Sequence, residues 1–172
     1  MPLYAIGEHT PSIDPSAFVH PEAVIIGDVR IGPESSVWPT AVLRGDTGRI
    51  VVGAQTSVQD GTVIHCTSRE DTVVGDRCVI GHRVHLEGCT VEDDSLVGSG
   101  AVVLHRVVVR AGAFVAAGAL VPPDTEVPAG AMARGVPARI TLDAAPGHMT
   151  EASVQTYLQL TSWYRDGLRR LD

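Results

Sequence analysis

At 172 residues with a formal net charge of −7, the chain is sized for one domain and is too acidic to offer nucleic acid a phosphate-binding face. It is 44% hydrophobic but only 4% aromatic, with eighteen Gly and eleven Pro, which excludes a core built round large rings and points to Val- and Ile-rich β structure with frequent turns. Three Cys without ligand-like spacing, no basic-then-apolar leader in MPLYAIGEHT and no apolar run of membrane length set the expectation of a cytoplasmic protein without a membrane partner.

From Ile13 an aliphatic residue recurs every six positions, at Val19, Ile25, Ile31, Val37 and Leu43. After three extra residues it resumes at Val52, Val58 and Ile64, and after four more at Val74, Ile80 and Leu86. It slips by one to Val91, then runs through Val97, Val103, Val109, Val115, Val121 and Val127 to Ala133. The residue two before the slot is small in most repeats, as at Ala23, Ser35, Ala41, Thr56, Thr62, Cys78, Cys89 and Ser95, with Ile50 a large exception. Glycine often follows the slot, as at Gly32, Gly53, Gly75 and Gly98.

A period of six matches neither a simple helix nor a plain alternating strand. It matches short strands joined by tight turns, three to a coil, each sending one large and one small side chain into a narrow core. A β-sandwich would instead place turns irregularly, about every 8–12 residues. The expected fold is therefore all-β, a parallel β-helix of about seven three-strand coils over residues 1–140. A linker and helix fill 141–172, because Val154, Tyr157, Leu158, Thr161, Tyr164, Leu168 and Leu171 recur at helical spacing. Thr150 is the expected N-cap of that helix, just after the chain-breaking pair Pro146-Gly147.

With three slots per coil, every third slot stacks on one face, about 4.8 Å apart. Leu43, Ile64 and Leu86 share a face, so the residues after them, Arg44, His65 and Glu87, form an outward column. Val58 and Ile80 share the adjoining face, and two positions after each come Asp60 and His82, with Gln59 beside Asp60. His85 precedes a slot and points outward at a different place on its strand from Glu87. His9, His20, His105 and His148 have no column partner in this register and are expected to be ordinary surface or packing residues. The columns allow two interpretations, a solvated ladder or, in a symmetric oligomer, a site built between subunits.

The stretches LRGDTGRIVVG at 43–53, VQDGTVIH at 58–65, VIGHRVHLEGC at 79–89 and GAMARGVPARI at 130–140 resemble the gamma-class carbonic anhydrase family of left-handed β-helix proteins. The resemblance implies a left-handed coil, a homotrimer, and zinc, or sometimes iron or cobalt, held at subunit interfaces by three histidines, two from one subunit and one from its neighbour. It aligns His65 and His82 with two metal ligands, Arg44, Asp46, Gln59 and Asp60 with interface and active-site hydrogen-bonding residues, and Tyr157 with a tyrosine bordering the site. The third ligand position is Glu87 in place of histidine. The implied set is thus His65 and Glu87 from one chain with His82 from another, His85 being the less favoured alternative.

Two His and one Glu form an acceptable zinc set with a fourth position open to water. The carboxylate adds negative charge and makes that water less acidic than three histidines would, which slows carbon dioxide hydration more than base-assisted hydrolysis. The leading expectation is a carbonic anhydrase-like lyase whose zinc-bound water attacks carbon dioxide or a small carbonyl substrate. In that scheme Gln59 orients substrate or water, Arg44 and Asp60 fix the interface, and Tyr157 lines the pocket. The alternatives are a metal-dependent thioesterase-like hydrolase, and a non-catalytic trimeric scaffold that has lost its metal and pairs Glu87 with Arg44 or a histidine. A hexapeptide acyltransferase ranks lower, because the longest insertion, around Ser68-Arg69-Glu70-Asp71, carries no histidine.

Overall fold

Every aliphatic slot from Ile25 to Ala133 is buried, and most of the small residues two positions before them are buried with them, so large and small side chains alternate along a continuous axial core. A computed structural model describes residues 2–172 and shows the left-handed parallel β-helix of about seven turns that this core requires. Three parallel strand faces enclose it. The first stacks the beginnings of Val24–Ile31 and Val42–Val52 on Val63–His65, His85–Glu87, Val102–Val103 and Leu120–Val121. The second stacks the ends of those two long strands on Thr72–Val74, Thr90–Val91, Val108–Val109 and Glu126–Val127. The third runs from Phe18–Val19 through Ser36–Val37, Ser57–Val58, Val79–Ile80, Leu96–Val97 and Phe114–Val115 to Met132–Arg134.

The extra residues bulge without shifting the face count. Leu43 pairs with Ile64 and Ile64 with Leu86, while Val52 pairs with Val74 and Val74 with Val91. Backbone stacking also accounts for the glycines that follow the slots: a Cβ on Gly53 would lie 2.6 Å from the Gly75 carbonyl oxygen, too close for any side chain. At the far end Arg139–Thr141 turns back and pairs antiparallel with Met132–Arg134, closing the third face.

The C-terminal helix α1 spans Gly147–Gly167. It starts three residues before the expected cap: Pro146 holds the N-cap position without a side-chain bond, and Thr150 is buried inside the helix. Proline's fixed φ suits a helix entrance, and burial of Thr150 against the coil outweighs its value as a cap. The helix ends before Leu168 and Leu171, both exposed. It lies on the third face of its own coil. Val154 packs with Val79 and Leu96, and Tyr157 and Tyr164 set their rings 5.5 and 5.0 Å from Trp38. Trp38 is fixed in turn by its indole N–H, 3.0 Å from the hydroxyls of Ser36 and Ser57. No helix among the described residues is long and apolar enough to cross a membrane.

Candidate functional site

Arg44, His65 and Glu87 stand in one column of the first face, Arg44 paired with His65 and His65 with Glu87 on successive coils. Each follows a fully buried slot, so each side chain projects outward. His65 lies between two carboxylates, with Nδ1 2.8 Å from Glu87 Oε1 and Nε2 3.0 Å from Asp46 Oδ1. Carboxylates only accept, so both contacts are made together only when both ring nitrogens carry hydrogen. The Arg44 guanidinium pairs with Asp46, not with Glu87. Burial works against the charge on Asp46, yet the hydrogen bonds from His65 and Arg44 prevail and hold its carboxyl below the ordinary range. Glu87 is likewise held low: burial opposes its charge, and the His65 hydrogen bond with the imidazoles nearby outweighs burial.

On the corner beyond the third face, His82 Nδ1 lies 2.9 Å from Asp60 Oδ2, and its Nε2 has no partner among the described residues. Gln59 is buried beside Asp60. Tyr157 comes down from α1 onto this group, where burial, joined by the Asp60 charge, pushes its phenol above the ordinary value. The two groups, Arg44–Asp46–His65–Glu87 and Gln59–Asp60–His82–Tyr157, share no hydrogen bond or ion pair among the described residues.

His85 points outward from the strand, as expected, and its Nε2 comes within 3.4 Å of Glu87 Oε2. Residues i and i+2 of a strand leave the same face, and a glutamate side chain reaches across that spacing. His105 does have a partner, since its Nε2 lies 3.8 Å from the same Oε2. It comes from the turn after Val102–Val103 and lies against Gly88, where a Cβ would stand 3.0 Å from its Nδ1. The glycine directly after Glu87, at φ +61°, was the sequence signal for that close approach. Asp46, at the end of the matched RGD motif, is more central than its neighbour Arg44, because it holds His65.

The donor chemistry of His65 and of His82 suits a metal ligand. A histidine ligand characteristically gives its other ring N–H to a carboxylate, and His82 already does so through Asp60 while its Nε2 remains available. His65 has a carboxylate on each side, so whichever nitrogen turns to a metal, the other keeps an acceptor. Among the described residues no three His, Cys, Asp or Glu side chains of one chain form a ligand set.

Residues 71–105, the stretch that contains His82, His85, Glu87 and His105, match the family described as bacterial transferase hexapeptide (six repeats). The chain is 43% identical over 143 residues to gamma carbonic anhydrase 1, mitochondrial, of Arabidopsis thaliana, covering 80% of this chain and 52% of the plant protein. The chain spans about half the length of the curated relatives it matches. Among solved structures, a hexapeptide transferase family protein from Anaplasma phagocytophilum superposes with a TM-score of 0.90 at 36% identity, covering 95% of this chain and 98% of that one. A putative acetyltransferase from Bacillus cereus superposes with a TM-score of 0.92 at 32% identity, covering 95% and 96%.

Proposed function

The chain belongs to the gamma carbonic anhydrase-like family of hexapeptide-repeat proteins, and from that premise we propose that it acts as a homotrimeric, zinc-dependent enzyme of the carbonic anhydrase type. One observation carries the proposal: the register-locked pair His65 and Glu87 stands on one face, while His82, held by Asp60 with Nε2 available, stands on the adjoining corner. Such halves make a whole site when the corner of one copy meets the face of the next. His65 and Glu87 of one copy, with His82 of its neighbour, would hold the zinc. Zinc bound there supplies a Lewis acid that polarises water toward carbon dioxide or a small carbonyl substrate.

The other residues prepare that encounter. Asp46 fixes the His65 ring and is itself steadied by Arg44, so the imidazole is oriented before any ligand arrives. Asp60 fixes the tautomer of His82, leaving the lone pair on Nε2. Gln59, buried beside them, offers an amide to orient substrate or water, and Tyr157 narrows the approach from the helix side.

Metal analysis of the purified protein, beside His65→Ala, His82→Ala and Glu87→Ala, tests the ligand set, with carbon dioxide hydration and thioester hydrolysis assayed on each. One metal per interface, lost in all three variants, is the expected result. Full metal occupancy in Glu87→Ala and His82→Ala would sink it. A second function has its own observation: His65 with a carboxylate on each ring nitrogen is also a complete ion network without metal. A scaffold of that kind would stay trimeric and metal-free after zinc supplementation.

A further inference from the structure

Two imidazoles behind Glu87 are unused by the function proposed above. His85 and His105 both bring Nε2 to Glu87 Oε2, at 3.4 and 3.8 Å, on the side opposite the Oε1 that faces His65. Both are held by the coil. His85 lies within the strand His85–Glu87, and the His105 carbonyl accepts the Asp124 N–H at 3.0 Å, while the Arg106 N–H next to it bonds the Gly88 carbonyl at 2.7 Å. The Nδ1 of His105 is buried with no hydrogen-bond partner among the described residues. An N–H there would be a buried donor with nothing to accept it, more costly than an unmatched lone pair, so the ring hydrogen belongs on Nε2, facing the carboxylate. A histidine that ligates metal through Nε2 needs an acceptor for its Nδ1–H, and His105 has none.

We infer that His105, with His85 beside it, is a positioning residue that turns its Nε2 edge toward Oε2 of Glu87 and leaves Oε1 as the one oxygen this carboxylate offers a metal. The inference rests on the reading of Glu87 as an interfacial ligand. It gives that ligand what a histidine would have supplied unaided: a single donor atom with a fixed direction. Two imidazoles facing the remote oxygen also offset part of the carboxylate's charge, which moderates the surplus negative charge it brings to the site.

The test is zinc affinity of the metal-stripped trimer, measured by chelator competition, together with the visible absorption of the cobalt-loaded protein. His105→Ala is expected to weaken zinc binding by roughly 10–100-fold, as loss of an outer partner typically does. Its cobalt spectrum should lose intensity as the freed carboxylate binds through both oxygens and raises the coordination number. His105→Gln, whose amide N–H replaces Nε2–H, should restore most of the affinity and the spectrum, and His85→Ala should move both in the same direction as His105→Ala. Wild-type affinity and an unchanged cobalt spectrum in His105→Ala and His85→Ala, with metal lost in Glu87→Ala, would overturn the positioning role alone. Equal loss in His105→Gln and His105→Ala would also overturn it, as a packing effect. Metal kept in Glu87→Ala, or none in the wild type, would overturn the ligand reading and this inference with it.

Discussion

Glu87 occupies a position where the family resemblance expects histidine, and imidazoles surround it, with His65 bonded to Oε1 and His85 and His105 facing Oε2. Replacing the anion by a neutral ligand should sharpen the Lewis acid, so Glu87→His is expected to raise carbon dioxide hydration at neutral pH by on the order of tenfold, read by stopped-flow. The core cysteines make a separate prediction. Burial pushes the thiols of Cys78 and Cys89 up to about 12, far above the ordinary thiol range. A thiol raised in the folded state keeps its proton longer there than in the unfolded chain. The stability it contributes is therefore whole below the ordinary thiol range and is lost as pH rises toward the folded value. Native protein should resist iodoacetamide at about pH 8 until denaturant is added, and its thermal midpoint should fall above about pH 9. The columns Arg44–His65–Glu87 and Asp60–His82 were legible in the sequence because a period of six with three slots per coil dictates which residues share a level. His85 was placed outward by the strand alternation, but the reach of its ring to Glu87 depends on side-chain rotamers that the repeat does not encode. His105 lay beyond reach of the slot count, since a residue at a turn takes its direction from the corner and not from the repeat.

At the scale of elements, the third face and α1 depend on one side chain. Trp38 touches Phe18, Tyr157 and Tyr164 and is anchored by two serine hydroxyls, so it joins the first coils to the helix. Trp38→Ala should cost about 3–5 kcal/mol in denaturant unfolding. Amide exchange should speed up along Gly147–Gly167 well before it does in the central strands. The same variant releases Tyr157 from its place near Asp60, so catalysis should suffer even where the coil remains folded. The docking face of α1 on Val79, Leu96 and Phe114 comes from the structure, whereas the existence of the helix was plain from its spacing. Its start was not, because Thr150 satisfies the cap preference in sequence while being needed for burial in the structure.

At the scale of the whole molecule, the proposed ligand set, divided between two copies, would make assembly a condition of function. Light scattering is expected to give three times the chain mass of 18.1 kDa. A metal shared between copies, as proposed, would stabilise the assembled state by mass action, so chelation should lower the thermal midpoint and make it dependent on protein concentration. Mixing metal-free His65→Ala and His82→Ala chains should restore activity at those interfaces where an intact half of each meets. The hairpin of Met132–Arg134 with Arg139–Thr141 bears on assembly from another direction. A coil of parallel strands ends in an open edge that would template the first coil of another molecule. The reversed strand occupies that edge on the third face with the wrong polarity for propagation, so the coil is blocked there from growing end to end into a filament.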